Sequence, residues 1–598
     1  MSRATVSALP TEPHTDTLLT LSRGINELSA RVIIEEFWRL GIQQFCVSPG
    51  ARAIPFIQAL EGDHRFETKL FNDERDAAFW AQGYGKATGK PAVLLSTSGT
   101  AVANYLPATI EAQTSRAPMI LLTCDRPAEL QYAHANQTIN QLGLLRDYVA
   151  CQINLPAPES NLYPHSLLSN IDQVVFAAVH HQSPVQINIA LRKPFFNEAP
   201  LALPDEEQRL LSEWLENKKV YTKFCGPSRL PHNTDLTELV ETINNAHSIL
   251  LIAGPLHAHE DAQQIVELAA HLNSPLVADI DSNCRFSQSS HVISAYNLFL
   301  RSSQTELPSP NLVLYFGDRI ISEALREYLE SLNCPQIQIA QLDGRQDAIE
   351  NEFLRFTERF VADPCALAAH LSSSTASKNS ADFLHPWQTQ QSLATEHLSS
   401  QVSQQNQAQG ICEPLFFHML AKYIPDDTAL FHSPSLVVRE AEQCTFFPGK
   451  KISSGANRGT QGIDGIISSA LGFSQGREQA CTLICGDQAF LHDSGALSLV
   501  ASHPYPLFII VINNNGGAIF RFFSMGDAQP TMENAHHMQD FSALAHHYGL
   551  PYFSARKWNE AEGVLKQAYL AETSALIEIH TDGIESVETF KRLGRWLS

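Results

Sequence analysis

From residue 24 to about residue 200, apolar positions switch between two spacings. INELSARVIIEEFWRLGI carries them at the three-to-four spacing of a helix with one buried face. QQFCVSPG, AVLLSTSGT and APMILLTCDRP are short apolar runs that stop at Ser, Gly or Pro, as buried strands do when they enter turns. DERDAAFWAQGYGKATG and AVANYLPATIEAQ, lying between them, return to helical spacing. Strands alternating with helices predict a parallel sheet covered on both faces. Ligands of such sheets sit beyond the carboxyl ends of the strands, and here those ends carry SPGAR, STSGT and CDRP.

The alternation then breaks. DEEQRLLSEWLENKK and FCGPSRLPHNTD are polar and turn-rich and read as a linker. A second block follows, with strands SILLIAG, PLVADI, NLVLYFGD and QIQIAQLDG. The Ser-rich LSSSTASKNSADF reads as another linker. The last block has strands TALFHS, ACTLICGD, LFIIVINNN and SALIEIHTDG, with HDSGALSLVASH read as a helix. The pattern predicts three consecutive doubly wound α/β domains with parallel sheets, over 1–205, 206–375 and 376–598.

Composition narrows the function. With 41 Lys and Arg against 63 Asp and Glu, the 598-residue chain carries a net charge of −22, which argues against nucleic acid as a partner. Small anions remain possible ligands wherever Arg is gathered locally. The 11 Cys include no Cys-x-x-Cys and read as reduced thiols. The amino-terminal stretch lacks a basic head followed by a long apolar run, and PLFIIVI is too short to span a membrane, so a cytoplasmic protein is expected.

Two strand ends stand out. CGDQAF ends one strand with Asp487, and VINNNGGAIF ends the next with Asn514 and Gly516, 27 residues on. Successive parallel strands make these ends neighbours. A carboxylate, an amide oxygen and a backbone carbonyl are half of an octahedral oxygen shell for Mg²⁺, which takes its other ligands from phosphates and water. An Asp helix cap and an Asn-Gly turn are the plainer alternative.

The Gly-Asp to Asn-Asn spacing resembles the diphosphate–metal motif of thiamine-diphosphate enzymes, with Gln488 where a Gly is usual. That resemblance implies an activating Glu in the first block, and Glu74 opens a helix just after a strand there. A first-turn Glu favoured by the helix dipole is the alternative. SPGAR, DERDAAFWAQGYGKATG, STSGTAVANYLPA, LTCDRPAEL, ANQTINQ, SLVVRE, NRGTQGIDG and NNNGGAIF occur in that order along the chain. Together they resemble the menaquinone-pathway synthases that add 2-oxoglutarate to isochorismate.

The resemblance implies the following. Thiamine diphosphate, with Mg²⁺ or Mn²⁺, is the cofactor; 2-oxoglutarate is decarboxylated and the remaining succinyl-semialdehyde carbanion adds to isochorismate. Domain 1–205 binds the pyrimidine, 376–598 the diphosphate, and 206–375 lies between them in sequence. Glu74 activates the cofactor, and Asp487, Asn514 and Gly516 hold the metal. Ile463 and Phe520 flank the cofactor. Ser435, Arg439 and Arg458 take the 2-oxoglutarate-derived group, Arg439 and Arg458 as catalytic residues. Arg52, Arg126 and Gln137 take the second substrate. Both substrates are dicarboxylates, which suits guanidinium groups and their two-pronged pairing. In related enzymes the first and last blocks meet across two chains, so a homodimer or homotetramer is implied.

The chain departs from the family at Ala51, usually Ser, and at Pro434, usually Asn. In FGDRIISEALREYL, Glu323 and Ala324 stand where the family has basic residues for the second substrate, and a Glu there would repel a dicarboxylate. Arg319 or Arg326 substitutes, or the alignment is shifted by a turn, or the acceptor differs. Three functions follow: the family reaction, a thiamine-diphosphate carboligase or 2-oxoacid decarboxylase with another acceptor, and a non-catalytic subunit. The segment after Phe520 is divergent, and its His536 and His537 receive no role.

Overall fold

The computed structural model describes residues 22–160, 164–195, 201, 203–226, 230–257, 260–302, 304–341, 355–376, 379–405, 410–446, 449–533 and 540–595. His536 and His537 lie outside them. The chain divides into two compact units, Met1–Gly226 and Pro227–Leu342 with Asp347–Ser598.

The first unit holds one parallel sheet of six strands: β1 (Gln44–Val47), β2 (Glu67–Leu70), β3 (Ala92–Ser96), β4 (Met119–Asp125), β5 (Cys151–Leu155) and β6 (Pro184–Ala190). Their order is β2-β1-β3-β4-β6-β5. β3, β4 and β6 are buried along their whole length, which is why β3 and β4 read as unbroken apolar runs. β2 is an exposed edge, and its last residue, Leu70, is 64% exposed. Helices Ile25–Arg39 and Pro164–His181 pack together over the sheet.

The stretch read as a linker after residue 204 is instead the helix Asp205–Asn217. Leu211, Trp214 and Leu215 form a helical stripe that enters the first unit's core, each worth about 2 kcal/mol relative to exposure. Trp214 Nε1 also donates to Glu36 at 3.0 Å. The stripe is short and surrounded by charge, so composition concealed it.

The second unit holds two sheets. The middle sheet comprises β7 (Ile249–Ala253), β8 (Leu276–Ala278), β9 (Val292–Ile293), β10 (Leu312–Phe316), β11 (Gln336–Ala340) and β12 (Glu358–Val361). Its order, β12-β11-β10-β7-β8-β9, is that of dinucleotide-binding folds. The last sheet comprises β13 (Thr428–His432), β14 (Ile452–Ala456), β15 (Cys481–Gly486), β16 (Leu507–Asn513), β17 (Tyr552–Ala555) and β18 (Ala575–His580). Its order, β14-β13-β15-β16-β18-β17, repeats that of the first sheet. Every pairing in the three sheets is parallel.

The two sheets of the second unit share one core. Ile252, Val277 and Tyr315 from the middle sheet and Leu430, Ile484 and Ile510 from the last belong to a single buried cluster. Helix Ala381–Gln405 contributes Phe383, Trp387 and Leu398 to it. The Ser-rich stretch read as a linker therefore ends inside helical structure: residues to Ser374 close one helix and Ala381 opens the next. HDSGALSLVASH begins at the end of helix Asp487–His492 and continues as the tighter 3₁₀ segment Ser494–Ser502. Among the described residues no helix is long and apolar enough to cross a membrane, and all eleven cysteines are free thiols.

Candidate active site

β15 and β16 pair in parallel, so their carboxyl ends lie side by side. Asp487 follows β15 and is 1% exposed. Its Oδ1 accepts the Gln488 N–H at 2.7 Å and its Oδ2 accepts the Gly516 N–H at 2.9 Å. The loop after β16 is therefore tied to the end of β15. Asn513 Oδ1 accepts the Asn515 N–H at 3.1 Å, and Asn515 adopts φ 61°, a conformation Asn tolerates well. Asn514 Nδ2 donates to Glu413 Oε1 at 3.0 Å, while its Oδ1 is buried with no protein partner.

These residues fit a hard cation. Among the described residues no group of three His, Cys, Asp or Glu gathers as a metal centre. A metal here would instead rely on one carboxylate with amide and carbonyl oxygens, the donor set Mg²⁺ prefers. Glu413 lies behind this set. Burial raises its pKa and the nearby Asp487 charge adds to that, while hydrogen bonds from Thr581 and Asn514 oppose it. The pKa of Glu440, fully buried near Glu413, is pushed well up by burial and by that neighbour.

Ile463 lies in the loop before helix Ile466–Arg477 and is 38% exposed. Phe520 is half-buried in the 3₁₀ turn Ala518–Phe522. A Cβ at Gly517 would come within 2.7 Å of the Phe520 ring, so only glycine allows this turn to close so tightly.

Four arginines line one cavity of about 220 Å³ in the second unit: Arg319, Arg326, Arg439 and Arg458, with Ser322, Glu323 and Gln461. Ser435 follows β13 with φ 72° and caps helix Leu436–Cys444. Its carbonyl accepts Arg439 Nη1 at 2.5 Å, which brings Arg439 back over the helix start. Burial lowers the Arg439 pKa, Glu323 opposes this, and Arg458 and Arg319 add to the lowering. Arg458 Nη1 reaches Asp279 at 2.8 Å and Asp281 at 3.2 Å, and its Nη2 donates to the Arg319 carbonyl at 3.1 Å. Burial alone would lower the Arg458 pKa, but the two aspartates raise it. Asp281 also accepts Ser454 Oγ at 2.8 Å and faces His432. Although burial opposes it, His432 and Arg458 hold the Asp281 carboxyl well below the usual carboxylate range.

Glu323 lines the cavity beside a guanidinium, Arg301, that it shares with Glu327. The Glu323 side chain is 72% exposed and pairs with Arg301 at 3.2 Å. Ala324 is buried in the same helix, Glu323–Ser331, and Arg319 and Arg326 supply the cations of this segment.

The first unit gathers a second arginine group. The turn Ser48-Pro49-Gly50 runs so close to the end of β3 that a Cβ at Gly50 would lie 2.5 Å from Thr97 Cβ. Arg52 follows, 6% exposed, bonded to the Leu191 carbonyl, with the Asp125 carbonyl at 3.5 Å and the Phe195 ring at 5.3 Å. Arg126 follows β4, with Nη1 on Ser98 Oγ and Nη2 on Gln137 Oε1 at 3.3 Å. Burial lowers the pKa of both guanidiniums, and Arg126 lowers that of Arg52 further. The bonds that hold these cations come from carbonyl, hydroxyl and amide oxygens. Glu74 is the first residue of helix Glu74–Thr88, capped by Asp73; it is half-buried and accepts Asn104 Nδ2 at 3.4 Å.

The structure thus brings together Asp487, Asn514 and Gly516; Ser435, Arg439 and Arg458; and Arg52, Arg126 and Gln137. Glu74 belongs to the first unit, and Ile463 and Phe520 to the second. Sequence reasoning missed Glu413, Thr581, Asp279 and Asp281. VADIDSN, with two aspartates just past a strand, was the one available signal.

Comparison with known proteins gives the family. Residues 29–144 match the family described as thiamine pyrophosphate enzyme, N-terminal TPP binding domain; 205–432 match the middle domain of thiamine pyrophosphate; and 448–579 match the C-terminal TPP binding domain. A 2-succinyl-5-enolpyruvyl-6-hydroxy-3-cyclohexene-1-carboxylate synthase of Pelodictyon phaeoclathratiforme is 34% identical over 583 residues, covering 96% of each chain. The synthases of the same name from Chlorobium phaeovibrioides and Rubrobacter xylanophilus are 34% and 32% identical, over 94% and 95% of this chain and 95% and 98% of their own. The chain belongs to the 2-succinyl-5-enolpyruvyl-6-hydroxy-3-cyclohexene-1-carboxylate synthase family of thiamine pyrophosphate enzymes.

Proposed function

We propose that this enzyme decarboxylates 2-oxoglutarate and adds the remaining four-carbon unit to isochorismate, giving 2-succinyl-5-enolpyruvyl-6-hydroxy-3-cyclohexene-1-carboxylate for menaquinone biosynthesis. The observation that carries the reading is the pair of strand ends at Asp487 and Asn514, with a buried amide oxygen left without a partner, in a unit that also holds an arginine-lined cavity. Domains 1–205, 206–375 and 376–598 are read as the pyrimidine-binding, central and diphosphate-binding domains.

Bound thiamine diphosphate supplies the electron sink that makes loss of CO₂ feasible. The chain supplies the rest. Asp487, Asn514 and the Gly516 carbonyl would hold Mg²⁺ or Mn²⁺. Glu74 holds a proton at the pyrimidine ring, and Ile463 and Phe520 flank the cofactor and exclude water. Arg439, Arg319 and Arg326 pair with substrate carboxylates; Arg458, already paired with Asp279 and Asp281, orients more than it neutralises. Arg52, Arg126 and Gln137 receive the carboxylates of the second substrate. The unit of action is a homodimer or homotetramer in the cytoplasm.

The test is a mass spectrum of products from purified protein with thiamine diphosphate, Mg²⁺, 2-oxoglutarate and isochorismate. A product heavier than isochorismate by the succinyl-semialdehyde unit is expected. Release of CO₂ without that adduct would move the reading to a carboligase or decarboxylase with another acceptor.

A further inference from the structure

We infer that Glu413 is a positioning residue for the metal: it sets the orientation of the Asn514 amide so that Oδ1, and not the NH₂ group, faces the cation. The inference rests on the proposed metal site at Asp487, Asn514 and Gly516.

The argument is one of donors and acceptors. The two ends of an Asn amide have nearly the same shape, so packing alone does not choose between them. A carboxylate oxygen accepts and does not donate. Glu413 Oε1 accepts Thr581 Oγ1 at 2.6 Å and Asn514 Nδ2 at 3.0 Å. The NH₂ group is thereby turned toward Glu413, and Oδ1 is left buried and without a partner. The flipped amide would put two acceptor oxygens against each other and aim two N–H dipoles at the cation. Glu413 is itself well fixed. It is 1% exposed, opens helix Glu413–Tyr423 where a carboxylate suits the helix dipole, and its N–H donates to Ser586 Oγ at 3.2 Å. No spacing rule links it to the motif, because it lies 101 residues before Asn514.

The experiment is a calorimetric Mg²⁺ titration of the full-length apoprotein with thiamine diphosphate. The variants are Glu413→Gln, Asn514→Asp, the double variant and Asp487→Ala, with metal-free melting curves alongside. Gln can donate to Asn514 Oδ1 and let the amide turn, so Glu413→Gln should weaken Mg²⁺ binding about 10- to 100-fold, as loss of an orienting partner commonly does. An Asp at 514 has two equivalent oxygens and needs no orienting. Beside the Glu413 carboxylate, however, it meets a like charge, so Asn514→Asp should weaken binding there but restore it beside Gln, a reversal that a merely structural role would not produce. Unchanged Mg²⁺ affinity in Glu413→Gln would overturn the inference, as would a loss that Asn514→Asp does not repair. Should Glu413→Gln melt below the titration temperature, the Asn514→Asp single variant decides: weakened binding supports the inference, unchanged binding overturns it. Asp487→Ala separates the two readings. If it keeps normal Mg²⁺ dependence, the metal site itself is wrong; if it loses binding while Glu413→Gln does not, only the orienting role fails.

Discussion

The first and third sheets have the same strand order, and the same four strand ends carry chemistry in both, but with different charges. After the first strand, one has Ser-Pro-Gly leading to Arg52 and the other Ser-Pro-Ser leading to Arg439. After the second come Glu74 and Arg458; after the third, Ser98 and Asp487; after the fourth, Arg126 and Asn514. The arginines also differ in company. Arg52 and Arg126 are held by neutral oxygens, whereas Arg458 is held by two aspartates. Topology fixes where a ligand can sit, and the side chains at those few positions decide what it is. Arg52 and Arg126 share the nearby Asp125 charge without bonding to its carboxylate through their guanidiniums, which leaves their donors for a ligand carboxylate, while an arginine bound directly by two carboxylates serves the shape of its site.

The largest break in this comparison is expected at the third-strand ends. Asp487→Ala should lose measurable thiamine-diphosphate binding by calorimetry, while Ser98→Ala should keep it; equal binding by both would erase the contrast. At the second-strand ends, Glu74→Gln should bind cofactor normally yet show kcat reduced by roughly 10²- to 10⁴-fold, the range for lost proton-transfer groups. Arg458→Gln leaves Asp279 and Asp281 without their cation, and breaking a buried pair costs about 3–5 kcal/mol, so its Tm should fall sharply. Arg126→Gln should barely move Tm but raise KM for isochorismate; if the two variants melt alike, the distinction between directly carboxylate-bound and other arginines is wrong.

The smallest effects are in pH dependence, and they run in opposite directions. Burial and its neighbour Asp172 raise Glu36 of the first unit to about 8; Trp214 Nε1 and the Tyr221 N–H also face it. Its neutral form suits the fold, so its contribution is present below the ordinary Glu value and lost as pH rises toward 8. Asp281 is held low by His432 and Arg458, so its contribution is present above the ordinary Asp value and lost as pH falls. Melting curves across pH should flatten on the alkaline side in Glu36→Gln and on the acid side in Asp281→Asn.

Much of this was legible in the sequence because strand ends are local features. A run such as LFIIVI stopping at three Asn announces both the strand and the residues at its mouth. Strands β9, β12 and β17 did not stand out because they are short, and β5, β6 and β14 did not because polar residues interrupt them. Glu413 and Asp279 escaped for another reason. Each acts on a side chain more than 100 positions away, and nothing in a linear pattern says which carboxylate will face which amide or guanidinium. Glu323 is the converse: its charge was plain, but not its pairing with Arg301, 22 residues before it, a cation it shares with Glu327.

Asp279 and Asp281 follow a strand of the middle sheet, yet they hold an arginine at a strand end of the last sheet. The domains of this enzyme are therefore not interchangeable cassettes. A chimera that took its central segment from another thiamine-diphosphate enzyme would inherit the fold but strand Arg458 without counter-ions. Grafting would succeed only if both acidic residues travelled with it, and recombination breakpoints between about residues 280 and 458 should be poorly tolerated for the same reason.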